Sequence, residues 1–299
     1  MGVFVGLTTL DVIHHVDAVP SANQKITAHM QVVAAGGPAT NAAVTFAALG
    51  GEATLITALG QSAVAEVIRA DLEACRVGLV DVAPPHVNPA PVSAVAVLTG
   101  TGERSVVSVD AGRTVLDTVP DLSAPLHSTD IALVDGHHPL LAEEASRVAN
   151  ASSVPLVVDA GRWKSVMSVL IPRASAVVSS ADFRYPGTDD AESSARALLR
   201  LNVPTLIVTQ GSDPVRWWQG GWSGSVAPPQ VQVVDTSGAG DVFHGAYCYF
   251  AASGDYLDVG SRISAACRIA ALKCAYFGTR TWLRHLPDLA TVREALRSD

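Results

Sequence analysis

The chain has 299 residues, enough for one large α/β domain or for a main domain with a small appendage. Hydrophobic residues make up 48%, with 24 glycines and 17 prolines, which excludes a disordered chain and suits a turn-rich enzyme. A formal charge of −8 argues against nucleic acid as a partner, because that needs clustered Lys and Arg, but leaves room for an anionic small substrate in a locally positive pocket.

Taken in chain order, residues 3–7 read as a first strand with no basic region ahead of it. We therefore expect neither a signal peptide nor a membrane span, and a cytoplasmic location. Extended segments follow at 14–19 and 26–33. Gly36-Gly37-Pro38-Ala39-Thr40-Asn41 then opens an alanine-rich helix, with Pro38 suited to its first turn. Residues 53–58 predict a strand, 63–73 a helix and 78–80 a further extended piece. Segments 92–98 and 105–109 flank the turn Thr99-Gly100-Thr101-Gly102 as a hairpin. From residue 131 strand and helix alternate: 131–134 and 140–150, 156–158 and 163–170, 176–178 and 190–201, then 205–208. A Gly- and Trp-rich excursion leads to a valine-rich strand at 231–234, and helices near 242–253 and 256–276 close the pattern. Such alternation predicts a largely parallel sheet covered by helices. The segments at 12–33 and 92–109 lack covering helices, which predicts a small β-sheet lid over the C-terminal edge of the main sheet. Cys75, Cys248, Cys267 and Cys274 lack metal-ligand spacing and read as reduced thiols.

The most informative stretch is Asp235-Thr236-Ser237-Gly238-Ala239-Gly240-Asp241. Gly238 and Gly240 permit a tight turn with no side chain to keep a phosphate away, and a helix starting there points its free N–H groups at that phosphate. Asp241 then sits at the positive helix end, where a carboxylate is favoured and a general base is held in place. Together they predict a phosphotransferase in which Asp241 is the base and Gly238, Ala239 and Gly240 form an anion hole, as against a mere helix cap. A dinucleotide oxidoreductase lacks its fingerprint, since Gly6-Leu7-Thr8-Thr9 is no such cradle.

Other residues carry two readings each. Asp11 follows the first strand and reads as substrate-facing or as a turn residue. Asn41, beside Gly37, suits sugar hydroxyls or holds the glycine turn. Lys25 and Arg104 fall in the expected lid, where they either meet a substrate anion or lie in solvent; Arg113 and Arg162 are open in the same way. His137 and His138 follow the 131–134 strand toward the pocket. Thr209-Gln210-Gly211-Ser212 makes a compact turn for a nucleotide, and Asp182 either orients water around Mg²⁺ or caps a helix. The three tryptophans at 217, 218 and 222 suit hairpin packing or adenine stacking.

The segments 36–43 and 235–241, in this order and separation, resemble the two signatures of the ribokinase/PfkB carbohydrate kinases, and the resemblance spans almost the whole chain. It implies a single ribokinase-like domain over 1–299, a sandwich with a mainly parallel central sheet and a small β-sheet lid. It also implies transfer of the ATP γ-phosphate to a sugar hydroxyl with Mg²⁺, and a homodimer paired through the lids. By resemblance, Asp241 is the base, 238–241 the anion hole, and Asp11, Gly37 and Asn41 bind substrate. Within the family, segments 36–43, 234–246 and 271–274 are most similar to bacterial 6-deoxy-6-sulfofructose kinases and, more distantly, to ketohexokinases. Lys25 stands where those sulfosugar enzymes place a sulfonate-binding lysine. His137 replaces an expected arginine and Asp110 a lid asparagine, and a second carboxylate near a sulfonate is unfavourable. Ser179-Ser180-Ala181-Asp182 keeps only the outline of the family's Asn-x-x-Glu element, and Pro214 replaces a glycine after the Thr209 turn. A neutral ketose, ribose or a nucleoside stay open as acceptors. So does a sugar- or nucleotide-sensing protein on the same scaffold, which the intact Asp241 disfavours.

Overall fold

In a computed structural model the described residues are 1–84, 90–112, 116–254 and 258–288. Among them, nine strands form the main sheet: β1 (Gly2–Val5), β4 (Ala53–Thr57), β5 (Val77–Asp81), β8 (Ile131–Val134), β9 (Leu156–Ala160), β10 (Ala176–Ser180), β11 (Thr205–Gln210), β12 (Asp213–Gln219) and β13 (Trp222–Val226). Their order is β13-β12-β11-β10-β9-β8-β1-β4-β5. Every neighbouring pair from β11 to β5 is parallel, and β12 and β13 add an antiparallel hairpin at one edge.

Continuous apolar runs make this sheet because both its faces are covered. In β1 the side chains alternate between two cores. Phe4 joins the core under α1 (Pro38–Ala48), α2 (Ala63–Ala74), α7 (Ala239–Ala252) and α8 (Val259–Cys274). Val3 and Val5 join the opposite core under α3 (Ser123–Leu126), α4 (Pro139–Ala151), α5 (Met167–Leu170) and α6 (Ala191–Arg200). The result is the α/β ribokinase-like sandwich, with helices on both faces of a mainly parallel sheet.

A second sheet has the order β3-β2-β6-β7, from β2 (Thr9–Val16), β3 (Met30–Gly36), β6 (Val92–Leu98) and β7 (Arg104–Val107). Its β2 and β6 are parallel, and the outer pairs antiparallel. One face buries Ile13, Val95 and Val97 against Phe277. The other leaves Val33 and Val107 exposed, while Met30 and Val106 are exposed toward the ends of the first. Its strands leave the main sheet at the C-terminal ends of β1 and β5, as the two uncovered segments predict. Their bounds move, however: β2 starts at Thr9 and β3 only at Met30.

Two expectations are corrected. Residues 231–234 form no strand, because Pro228 and Pro229 remove ladder donors and Val231 and Val233 have no face to bury. Instead Val234 N and Asp235 N both donate to Cys274 O, at 2.8 and 3.1 Å. The helix expected over 163–170 shrinks to Met167–Leu170, because Lys164 turns inward to donate to Asp135 O at 3.0 Å. The tryptophan excursion is the β12–β13 hairpin, with Trp217 opposite Gly224. Arg113, Pro85 and the expected helix start at Tyr256 lie outside the described residues. Among the described residues no helix is long and apolar enough to cross a membrane, and all four cysteines are free thiols.

Candidate active site

The parallel strands end along one edge, where open α/β sheets bind ligands. There Gly238 caps α7 with φ 70°, a left-handed conformation that side chains rarely adopt, and the helix begins at Ala239. Asp241 therefore lies in the first turn, partly buried, with its Oδ2 accepting from Asn41 Nδ2 at 2.9 Å. Burial raises the Asp241 pKa above the ordinary carboxylate value. The Asn41 hydrogen bond opposes that rise, and the nearby Asp159 charge adds to it. Ala239 N donates to Thr236 O at 3.2 Å, whereas Val242 N already belongs to the helix ladder through Gly238 O.

Asn41 sits on α1, whose start is fixed from outside. Gly37 has φ 97°, and a Cβ there would lie 2.3 Å from Leu7 O, so only glycine fits. It offers no side-chain cap, and the wholly buried Asp135 supplies one by accepting from Ala39 N at 3.3 Å. The same carboxylate accepts from Leu7 N and His137 N, both at 2.9 Å, tying the ends of β1 and β8 to the start of α1. Burial alone would raise the Asp135 pKa. The His137 imidazole 3.2 Å away, His137 N–H and Lys164 outweigh it and hold the carboxyl well below its usual range. In turn Asp135 overcomes the burial of His137 and raises the imidazole's pKa, so His137 favours its cationic form.

The structure brings several expected residues together. Asp11, on β2, accepts from Thr9 Oγ1 at 2.6 Å and lies against Gly36, where a Cβ would meet its Oδ2 at 1.9 Å; burial raises its pKa. Arg104 Nη1, on β7, donates to Thr236 O at 3.3 Å, so the second sheet touches the glycine turn. Thr209 lies at the end of β11 and Gly211 just after it, and Asp182 follows β10, with Ala181 N donating to Thr209 O at 2.8 Å. Lys25 lies exposed between β2 and β3, away from any partner among the described residues.

Other members of the site carried no role in the sequence reading. Asp159, Asp241 and His244 converge, their ligand atoms all within 4.8 Å of one another. Both His244 ring nitrogens are buried without a hydrogen-bond partner, Nε2 standing 3.6 Å from Asp159 Oδ1. The spacing of three between Asp241 and His244 was the available signal, since it puts both on one helix face. Two carboxylates suit Mg²⁺, which favours oxygen donors. Arg280 was also missed. It donates to Asn41 Oδ1 at 3.2 Å and to Asp71 Oδ2 at 2.9 Å, backing the amide that holds Asp241.

Residues 2–285 match the model of the pfkB family carbohydrate kinases. The chain belongs to this family. It is a sugar kinase, a phosphotransferase with an alcohol acceptor. The ribokinase of Bacillus subtilis is 23% identical over 282 residues, covering 92% of this chain and 93% of that protein. Among solved structures, a candidate ribokinase of Agrobacterium tumefaciens superposes with TM-score 0.85 at 25% identity, covering 99% of this chain and 97% of that one. The ribokinase of Arabidopsis thaliana, complexed with ribose and ATP, gives 0.77 at 20% identity, with 99% and 98% covered.

Proposed function

We propose that this kinase transfers the γ-phosphate of ATP to a hydroxyl of a small sugar, a ketose or ketose derivative, with Asp241 as general base. The observation that carries this is the Asp241 carboxylate in the first turn of α7, behind the Gly238 turn and held by Asn41 at 2.9 Å. Asp241 takes the proton of the acceptor hydroxyl as its oxygen attacks phosphorus. The amides of Gly238, Gly240 and Asp241, joined by that of Ala239 on leaving Thr236, stabilise the equatorial oxygens. The second sheet acts as a lid that excludes water from the transfer, with Asp11, Gly37 and Asn41 lining the sugar side. Thr209 and Gly211 support the nucleotide. Asp159, backed by His244, would hold Mg²⁺, with Asp182 reaching it through water, which leaves Asp241 free for the proton. When bound, the ion would neutralise phosphate charge.

The ketose reading rests on the resemblance of segments 36–43, 234–246 and 271–274 to the ketose and sulfoketose kinases. An anionic substituent on that sugar is favoured by His137, whose raised pKa shifts it toward its cationic form, by Lys164 and by Lys25 on the lid. Asp110 opposes it. Ribose is the second reading, favoured by the likeness to ribokinases along nearly the whole chain. Val33 and Val107, exposed on the outer face of the second sheet, suit pairing of two copies, and the free cysteines suit a reducing cytoplasm. ADP release measured with fructose, sulfofructose, fructose phosphates, ribose, deoxy-ketogluconate and adenosine tests the assignment. We expect a ketose or its anionic derivative to give the highest kcat/KM. A clear preference for ribose or adenosine rejects the ketose, and no turnover with any of them rejects the proposal. Lys25→Ala should weaken use of an anionic sugar and spare a neutral one; equal losses on both would remove Lys25 from anion recognition.

A further inference from the structure

Behind the glycine turn lies a buried ion pair that the transfer chemistry does not use. Asp235 is 0% exposed and Lys273, near the end of α8, is 1% exposed. Lys273 Nζ stands 3.0 Å from Asp235 Oδ2 and donates to Asp235 O at 2.8 Å. The carboxylate also accepts from Ser237 N at 2.7 Å and from Gly278 N at 2.8 Å. A buried charge pair is retained at a desolvation cost that an apolar pair would avoid, so its place in the fold matters more than its contribution to stability. That place is the three residues ahead of Gly238. The same segment receives the second sheet, because Thr236 N and Oγ1 both donate to Gly102 O, at 3.0 and 2.8 Å. α8, the second sheet and the glycine turn therefore meet at one joint, with the lysine charge at its centre.

We infer that Lys273 is a positioning residue for phosphoryl transfer: its ammonium is a built-in cation that holds the Asp235–Ser237 segment so that the Gly238 turn keeps its N–H groups aimed at the phosphate. Lys273 touches no reacting atom and acts through Asp235. Burial lowers its pKa, against the pull of Asp235. Beside it, a recess lined by Ser237, Gly238 and Thr279 contains two buried hydroxyls, Ser237 Oγ and Thr279 Oγ1, without hydrogen-bond partners. Shortening the lysine enlarges this recess and exposes oxygen acceptors to it, which makes room for a small cation in place of Nζ.

The inference rests on the kinase reading above and is tested on the full-length protein with the sugar that it turns over best. Lys273→Ala is expected to lower kcat at least about tenfold while the sugar and ATP KM values stay within about threefold, since the loss falls on the transition state. Ammonium chloride should restore part of that kcat in the variant and leave the wild type unchanged, whereas tetramethylammonium, too large for the recess, should restore nothing. An unchanged kcat in Lys273→Ala, or a loss that ammonium does not relieve in a folded protein, overturns the inference. Should Lys273→Ala fail to fold by circular dichroism, the neutral pair Asp235→Asn/Lys273→Met decides. This variant should fold, turn over slowly and ignore ammonium; wild-type turnover would overturn the inference. A wild type inactive on every sugar overturns both this inference and the kinase reading, whereas an active wild type with a fully active variant overturns this one alone.

Discussion

A hydrogen-bonded chain sets the chemistry of Asp241: Asp71 holds Arg280, Arg280 donates to Asn41, and Asn41 donates to Asp241. Burial raises the Asp241 pKa, and the base must be ionised to take a proton. The acid limb of the kcat/KM profile should therefore fall above the ordinary aspartate value of 3.8. Removing the Asn41 donor with Asn41→Ala takes away a bond to the charged form, so the limb should move to higher pH and kcat should fall. An acid limb that does not move in the variant would detach Asn41 from the base. Asp241 was legible in the sequence because two glycines precede it in the tight turn that starts a helix. Asp159 and Arg280 were not, since each comes from a distant segment and meets Asp241 or Asn41 only once the sheet has ordered its strands.

The elements around the site follow from local chemistry where one backbone rule decides. Pro38 starts α1 where its fixed φ is tolerated, and Gly37 ahead of it takes φ 97° with Leu7 O pressed against it. Gly37→Ala should destabilise the fold by roughly 1–3 kcal/mol through backbone strain, more if Leu7 cannot shift, as read by denaturant melts. A variant that melts with the wild type would mean that the turn relaxes freely. The second sheet was visible as two segments without covering helices, but β2 and β3 were misplaced by several residues, because half-exposed strands alternate imperfectly. The strand expected at 231–234 failed for a different reason. Its valines have strand propensity, but the Cys274 carbonyl takes the N–H of Val234 and that of Asp235 after it, tertiary bonds invisible to local pattern.

The whole molecule carries a net charge of −8, yet its stability against acid hangs on a few buried carboxylates. Asp135 and Asp235 both have lowered pKa values: in each, neighbouring cations and N–H groups outweigh burial. Their contribution is complete above the unfolded aspartate value of 3.8 and is lost as pH falls through the lower folded values. His137 has the opposite sign. Its raised pKa contributes below the unfolded histidine value of 6.5 and is lost as pH rises through the folded one. The melting temperature should therefore peak on the mildly acidic side and drop on strong acidification, with Asp135→Asn flattening the acid drop. A melting temperature independent of pH between strong acid and neutrality would contradict this. The central claim, that Asp241 is the base in phosphoryl transfer to a sugar, is tested most directly by single-turnover transfer from ATP in Asp241→Asn beside the wild type. A folded variant that still binds sugar and ATP but transfers phosphate roughly 10²–10⁴-fold more slowly is the expected result; transfer at close to the wild-type rate would contradict it.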